Sequence, residues 1–204
     1  MSVGISKDEA TMWRNPGAAA ALPANSLRSL LDRLIAASSL IPNDPVLDMR
    51  EFAWTATLRA NWSAIRDEAA SALGGAAQRL SLWNHGGEED LARCPATAAA
   101  LAQIPGLVSA RYSTLASGIH VPRRRGATKG LITCHLGLSV PRDGDVRMAL
   151  ADRVLRWSEG ETLVFDDSYE HEIWNEASAA RTVLHLQFRR PLKQPARWLA
   201  ERLL

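Results

Sequence analysis

The sequence predicts a mainly β domain entered through a helical lead-in, and three observations carry that prediction. Apolar residues recur at helical spacing through the first half of the chain. From about Val108 they recur instead at a spacing of two, in short segments rich in branched residues, and Pro, Gly and Asp turns separate those segments. Helices followed by turn-punctuated strands indicate an antiparallel sandwich or barrel.

Each element follows in order. "NPGAAAALPAN" is a small-residue stretch with prolines near both ends and reads as an irregular lead-in. Leu27, Leu30, Leu31, Leu34 and Ile35 then follow the i, i+3, i+4 pattern of an amphipathic helix, with Asn25 or Ser26 as its cap. A second helix runs past Leu58, Trp62, Ile65, Ala69 and Leu73; Thr55 caps its start and Gly74-Gly75 ends it. "PATAAALAQIPG" is a shorter helix closed by Pro105-Gly106. Strands follow at "LVSARYSTL", "GLITCHLGLSV", "DVRMALADRVLRW", "GETLVFDD" and "RTVLHLQF". In the second of these, Thr133, His135, Gly137 and Ser139 alternate with Ile132, Cys134, Leu136 and Leu138, so His135 lies on a polar face. Arg181, His185 and Gln187 share a face of the last strand. The seven tryptophans read as core.

Bulk properties narrow the function. The chain has 204 residues, 47% of them hydrophobic, enough for one well-buried domain. A formal charge of +2 argues for neither a nucleic-acid partner nor a membrane surface, and points to a small partner. Only Cys94 and Cys134 are present, so no disulfide framework is expected. The start lacks an apolar signal core, no run of about 18 apolar residues exists, and the chain reads as cytoplasmic.

Two groups of residues stand out. In "FDDSYEHEIW", His171 follows a strand into a loop, flanked by Asp166, Asp167, Glu170 and Glu172, acids that can orient an imidazole. Ten residues later, Arg181 can fork onto a carboxylate of a ligand or onto one of those acids. "PRRRG", residues 122–126, reads as a solvated loop or as an anion-binding loop facing His135 and Arg181; three adjacent arginines without interleaved aromatics make a poor nucleic-acid patch.

"HLGLSVP" from His135, the run from Trp157 through "FDDSYEHEIW", and Arg181 ten residues past His171 resemble the core of the aspartyl/asparaginyl β-hydroxylases. "FAWTATLRANWSAIRDEAASAL" and "RYSTLASG" resemble that family's helical lead-in and first strand. The similarity spans about Val46 to Pro191. It implies a double-stranded β-helix, or jelly-roll, over residues 46–192, with a lead-in and helix at 1–45 and a tail at 193–204. It also implies Fe(II) and 2-oxoglutarate as cofactors. His171 would be an iron ligand, Arg181 the anchor of a 2-oxoglutarate carboxylate, and His135 and Ser113 further contacts to that cosubstrate. A small member of the family would act on an amino-acid-like, carboxylate-bearing metabolite, free or carrier-bound, in a biosynthetic pathway.

Two positions depart from the family pattern. The spacing from Tyr112 to His135 places Arg124 where the family has its other iron-binding histidine, and Thr133 where many relatives carry an arginine for 2-oxoglutarate. A guanidinium has no lone pair to give a metal. Three readings follow. Iron could be kept by a substitute ligand, His120 or an acid from Asp166-Asp167. The pocket could instead run metal-free isomerisation, elimination or cyclisation, with Arg124 and Arg181 holding an anion and His135 or His171 moving a proton. Or the chain could bind a dicarboxylate or a protein without catalysis.

Overall fold

The structure, a computed structural model, describes residues 26–74, 78–84, 87, 88 and 90–198. Helix α1 (Ser26–Ser38) leads in. Its apolar stripe is only half used, because Ile35 is buried while Leu30 and Leu34 are exposed; Asn25, one of its expected caps, lies outside the described residues. The expected second helix is two helices, α2 (Thr55–Ala60) and α3 (Trp62–Leu73), divided at Asn61. Thr55 sits inside α2 rather than capping it, and its hydroxyl donates to the Phe52 carbonyl. Gly74 ends α3 in the left-handed conformation at φ 57°, which a residue with a β-carbon resists. Helix α4 (Pro95–Leu101) begins on its proline.

Eleven strands are described. They are β1 (Val46–Leu47), β2 (Arg79–Asn84), β3 (Gly87–Glu88), β4 (Leu107–Leu115), β5 (His120–Arg124), β6 (Leu131–Ser139), β7 (Val146–Leu150), β8 (Arg153–Arg156), β9 (Thr162–Phe165), β10 (His171–Asn175) and β11 (Arg181–Arg189). A seven-stranded sheet runs β1-β9-β6-β11-β4-β2-β3, and a four-stranded sheet runs β5-β10-β7-β8. Every strand pair is antiparallel. The two sheets form the jelly-roll, with the helices laid on the outer face of the larger one.

Three expectations change here. Strand β2 lies in the half read as helical. "PRRRG" is not simply a loop, since Pro122, Arg123 and Arg124 belong to edge strand β5. His171 opens strand β10, paired to β7 and to β5, and does not sit in a loop.

Period-two alternation places the chemistry. Tyr112, Cys134, Leu136, Leu184, Leu186 and Phe188 pack beneath the helices, whereas Leu115, Phe165 and Val183 face the smaller sheet and meet Met148, Leu150 and Ile173. The intervening inner-face positions of β4, β6 and β11 are polar. Between two sheets, polar side chains are costly unless they are paired or serve a ligand. No helix of the described residues is long and apolar enough to cross a membrane.

Candidate active site

The inner face of the larger sheet carries a row of polar side chains set by register. Arg111 on β4 lies opposite His185 on β11, which lies opposite His135 on β6. Arg181 opens β11 against Leu115, and Ser113 sits between Arg79 and Val183. Gly137, two residues past His135, lets the backbone of β6 approach Ser158; a β-carbon there would collide with the Ser158 carbonyl. That contact brings the chain leading to Trp157 beside His135.

Arg181 is 3% exposed, and its Nε and Nη1 have no hydrogen-bond partner. Its guanidinium lies 4.4 Å from the centroid of the Trp157 ring, a cation–π contact worth about 2 kcal/mol when desolvated. Burial pushes its pKa down to about 10, so it stays charged at neutral pH. None of Asp166, Asp167, Glu170 and Glu172 forms an ion pair with it. The alternative that an acid of the "FDDSYEHE" run neutralises Arg181 is therefore overturned. An unpaired buried guanidinium is costly, and a carboxylate ligand would offset that cost.

The tautomers beside it are fixed. Trp157 Nε1 can only donate, and it donates to His135 Nδ1 at 3.1 Å. The proton of neutral His135 is then on Nε2, which donates to His185 Nδ1 at 2.8 Å. Burial, followed by the charge of Arg181, holds His135 well below the usual histidine range. Trp157 is thus more than core, because it supports Arg181 and sets the protonation of His135.

The opposite wall belongs to the smaller sheet. His171 is buried, and its Nδ1–H donates to the Tyr169 carbonyl at 3.1 Å, leaving Nε2 as a bare acceptor. Arg124, its cross-strand neighbour, donates Nε–H to that nitrogen at 3.3 Å. Gly126 locks the segment in place: its N–H donates to the Asp167 carbonyl at 2.7 Å, and a β-carbon would strike the Asp167 carboxylate. Asp167 Oδ2 accepts from Thr133 at 3.0 Å and from Gln187 at 3.3 Å. Burial pushes the Asp167 carboxyl up and the His171 imidazole down.

The substitute ligands fare poorly. His120 projects from β5 opposite Trp174, stacks on that ring at 5.1 Å, and bonds Glu172 at 2.6 Å. Asp166 is fully buried, paired with Arg190 and, at 3.0 Å, with Lys129. Among the described residues no group of three or more His, Cys, Asp or Glu could hold a metal ion. The donors near His171 are its own Nε2, already bonded to a guanidinium, and the Asp167 carboxylate, already bonded to Thr133 and Gln187, and these are too few to fit iron. The Arg181 end, by contrast, offers unanswered donors of the kind that pair with a carboxylate.

Sequence reasoning had selected Ser113, Arg124, His135, His171 and Arg181, and the structure brings all five to the space between the sheets. It had passed over Arg79, Arg111 and Trp157. The alternation read on β6 and β11 also runs through "RLSL" and "SARYS", and it marks Arg79 and Arg111 as inner-face residues.

Comparison with known proteins identifies the family. The family model described as aspartyl/asparaginyl beta-hydroxylase matches residues 59–191. The chain belongs to this family. An ornithine lipid ester-linked acyl 2-hydroxylase from Rhizobium tropici is 35% identical over 181 residues, covering 77% of this chain and 64% of that protein. The human aspartyl/asparaginyl beta-hydroxylase is 31% identical over 150 residues, covering 62% of this chain and 20% of the relative. This β-hydroxylase family chain therefore spans less than two thirds of either relative. Among solved structures, a prolyl-4-hydroxylase from Pseudomonas putida superimposes with a TM-score of 0.45 at 22% identity, covering 65% of this chain and 82% of that one.

Proposed function

We propose that this member of the hydroxylase family is an enzyme acting on a carboxylate-bearing, amino-acid-like molecule, and that it seats a 2-oxoglutarate-class dicarboxylate on Arg181. The observation that carries the reading is the buried guanidinium of Arg181, with two unpartnered donors and a tryptophan beneath it. Ser113 and neutral His135 lie on the same face of the sheet. Hydroxylation, the reaction in the names of the relatives, is the first reading of the chemistry. It asks for iron at His171, and since the residues present do not complete that ligand set, no step is derived through the metal.

The contact from Arg124 Nε to His171 Nε2 favours a second reading, metal-free acid–base chemistry in the same pocket. There His171 Nε2 accepts a proton from a substrate held by Arg181, while Arg124 stabilises the developing negative charge. Isomerisation, elimination and cyclisation all need those two roles. Anaerobic calorimetry with iron(II), with and without 2-oxoglutarate, separates the two. Stoichiometric micromolar iron binding, tightened by 2-oxoglutarate, supports hydroxylation. Binding of 2-oxoglutarate with no iron bound selects the acid–base reading, and failure to bind 2-oxoglutarate under any condition sinks both.

A further inference from the structure

The pocket holds more unpaired donors than Arg181 accounts for. Arg79 on β2 lies opposite Ser113, and Arg111 on β4 lies opposite Ser81, so the two arginines are diagonal neighbours on one face. His185 is directly across from Arg111. Arg79 Nε, Arg111 Nε and His185 Nε2 are each buried without a hydrogen-bond partner.

All three atoms are donors. For the arginines this is intrinsic. For His185 it follows from the relay, because Nδ1 accepts the proton of His135 and a neutral ring then carries its own proton on Nε2. Burial, then the charges of Arg79 and Arg124, lower the pKa of Arg111 to about 9 against the opposing pull of Asp167, two cations against one carboxylate. Asp167 Oδ2 is already engaged by Thr133 and Gln187. Three neighbouring donors of net positive charge thus have too little anion within the protein.

We propose that Arg79, Arg111 and His185 form a second oxyanion subsite, which holds a carboxylate or phosphate of the substrate while Arg181 holds the 2-oxoglutarate-class dicarboxylate. This assignment rests on the function proposed above. Arg181 and His185 are four residues apart on one face of β11, about 13 Å along the strand, so the two anions occupy separate places. The substrate is then an amino-acid-like molecule carrying an oxyanion of its own, delivered to the β2–β4–β11 end of the pocket.

Calorimetry on the full chain tests this, with inorganic phosphate and malonate as separate probes, each titrated in the presence of saturating 2-oxoglutarate. At least one is expected to bind, and the tighter one identifies the group. Arg111→Gln and Arg79→Gln should each weaken that probe by about tenfold or more, a larger loss than for 2-oxoglutarate. Arg111→Met should in addition raise the ligand-free Tm by about 2–4 °C by removing a poorly compensated buried charge. In Arg181→Ala, loss of 2-oxoglutarate with the probe still bound supports two separate subsites. Probe binding that competes with 2-oxoglutarate, that ignores Arg111→Gln, or that is absent for both anions overturns the subsite. Absence of 2-oxoglutarate binding in the parent protein with probe binding intact would count against the function proposed above and not against the subsite.

Discussion

Arg181 and Arg124 face one pocket from opposite sheets, and they use their donors differently. Arg181 is in a strand inside the larger sheet, held over Trp157, with two buried N–H groups unanswered by the protein. Arg124 is on the edge strand of the smaller sheet and gives its Nε–H to the one imidazole nitrogen that faces it. The first keeps donors that only a group from outside the protein could meet. The second engages the free nitrogen of His171. Their difference is what motivates the proposal of an anion anchor without a metal centre beside it.

The largest expected effect contrasts Arg181 with an arginine that is paired. Arg190 and Asp166 form a fully buried ion pair joined by Lys129. Asp166→Asn leaves Arg190 uncompensated and should cost about 3–5 kcal/mol in urea unfolding, whereas Arg181→Met should cost far less, because Arg181 has no protein counter-ion to lose. Equal losses would make Arg181 a structural residue.

Next is Arg124→His, which places a second imidazole across from His171 and removes the guanidinium from its Nε2. Iron(II) affinity should rise by about 100-fold or more in anaerobic calorimetry, the equivalent of about 2.7 kcal/mol. An unchanged affinity would show that Arg124 does not guard the metal position.

The histidines give a pH dependence of intermediate size. His135, His171 and His185 are all held below their ordinary range, chiefly by burial, so the unfolded chain takes up protons near pH 6.5 while the folded chain does not. Stability should therefore fall as pH drops below about 6.5, by at most about 1.4 kcal/mol per pH unit for each histidine. Urea midpoints measured across that window should flatten in His185→Leu; an unaltered slope would contradict the neutral relay. The smallest effect is for Trp157→Phe, which keeps a ring beneath Arg181 and removes the donor to His135. A loss of about five- to tenfold in 2-oxoglutarate affinity is expected, near 1 kcal/mol, and none at all would separate the relay from the anchor.

Much of this arrangement was legible in the chain, because strands write their two faces at period two. The alternation through "GLITCHLGLSV" and "RTVLHLQF" gave the register on which His135, His185 and Arg181 sit, and the family motifs supplied the partners Ser113 and His171. The break in the second helix was not legible, because Leu58 and Ile65 keep one apolar face across Asn61. Strand β2 was obscured by the helices that surround it in the chain. The role of Trp157 could not be read either: a buried indole looks like core until its N–H is seen to meet His135. His120 and Asp166 were reasonable ligands by spacing, and each is turned away by partners far along the chain, Glu172 for one and Arg190 for the other.

The most direct test is calorimetric titration of 2-oxoglutarate into metal-free protein, run in parallel on Arg181→Ala. The account predicts stoichiometric binding to the parent protein without metal and its loss in the variant. Undiminished binding by Arg181→Ala would contradict it, and binding by the parent only after iron is added would select the hydroxylation reading over the acid–base one.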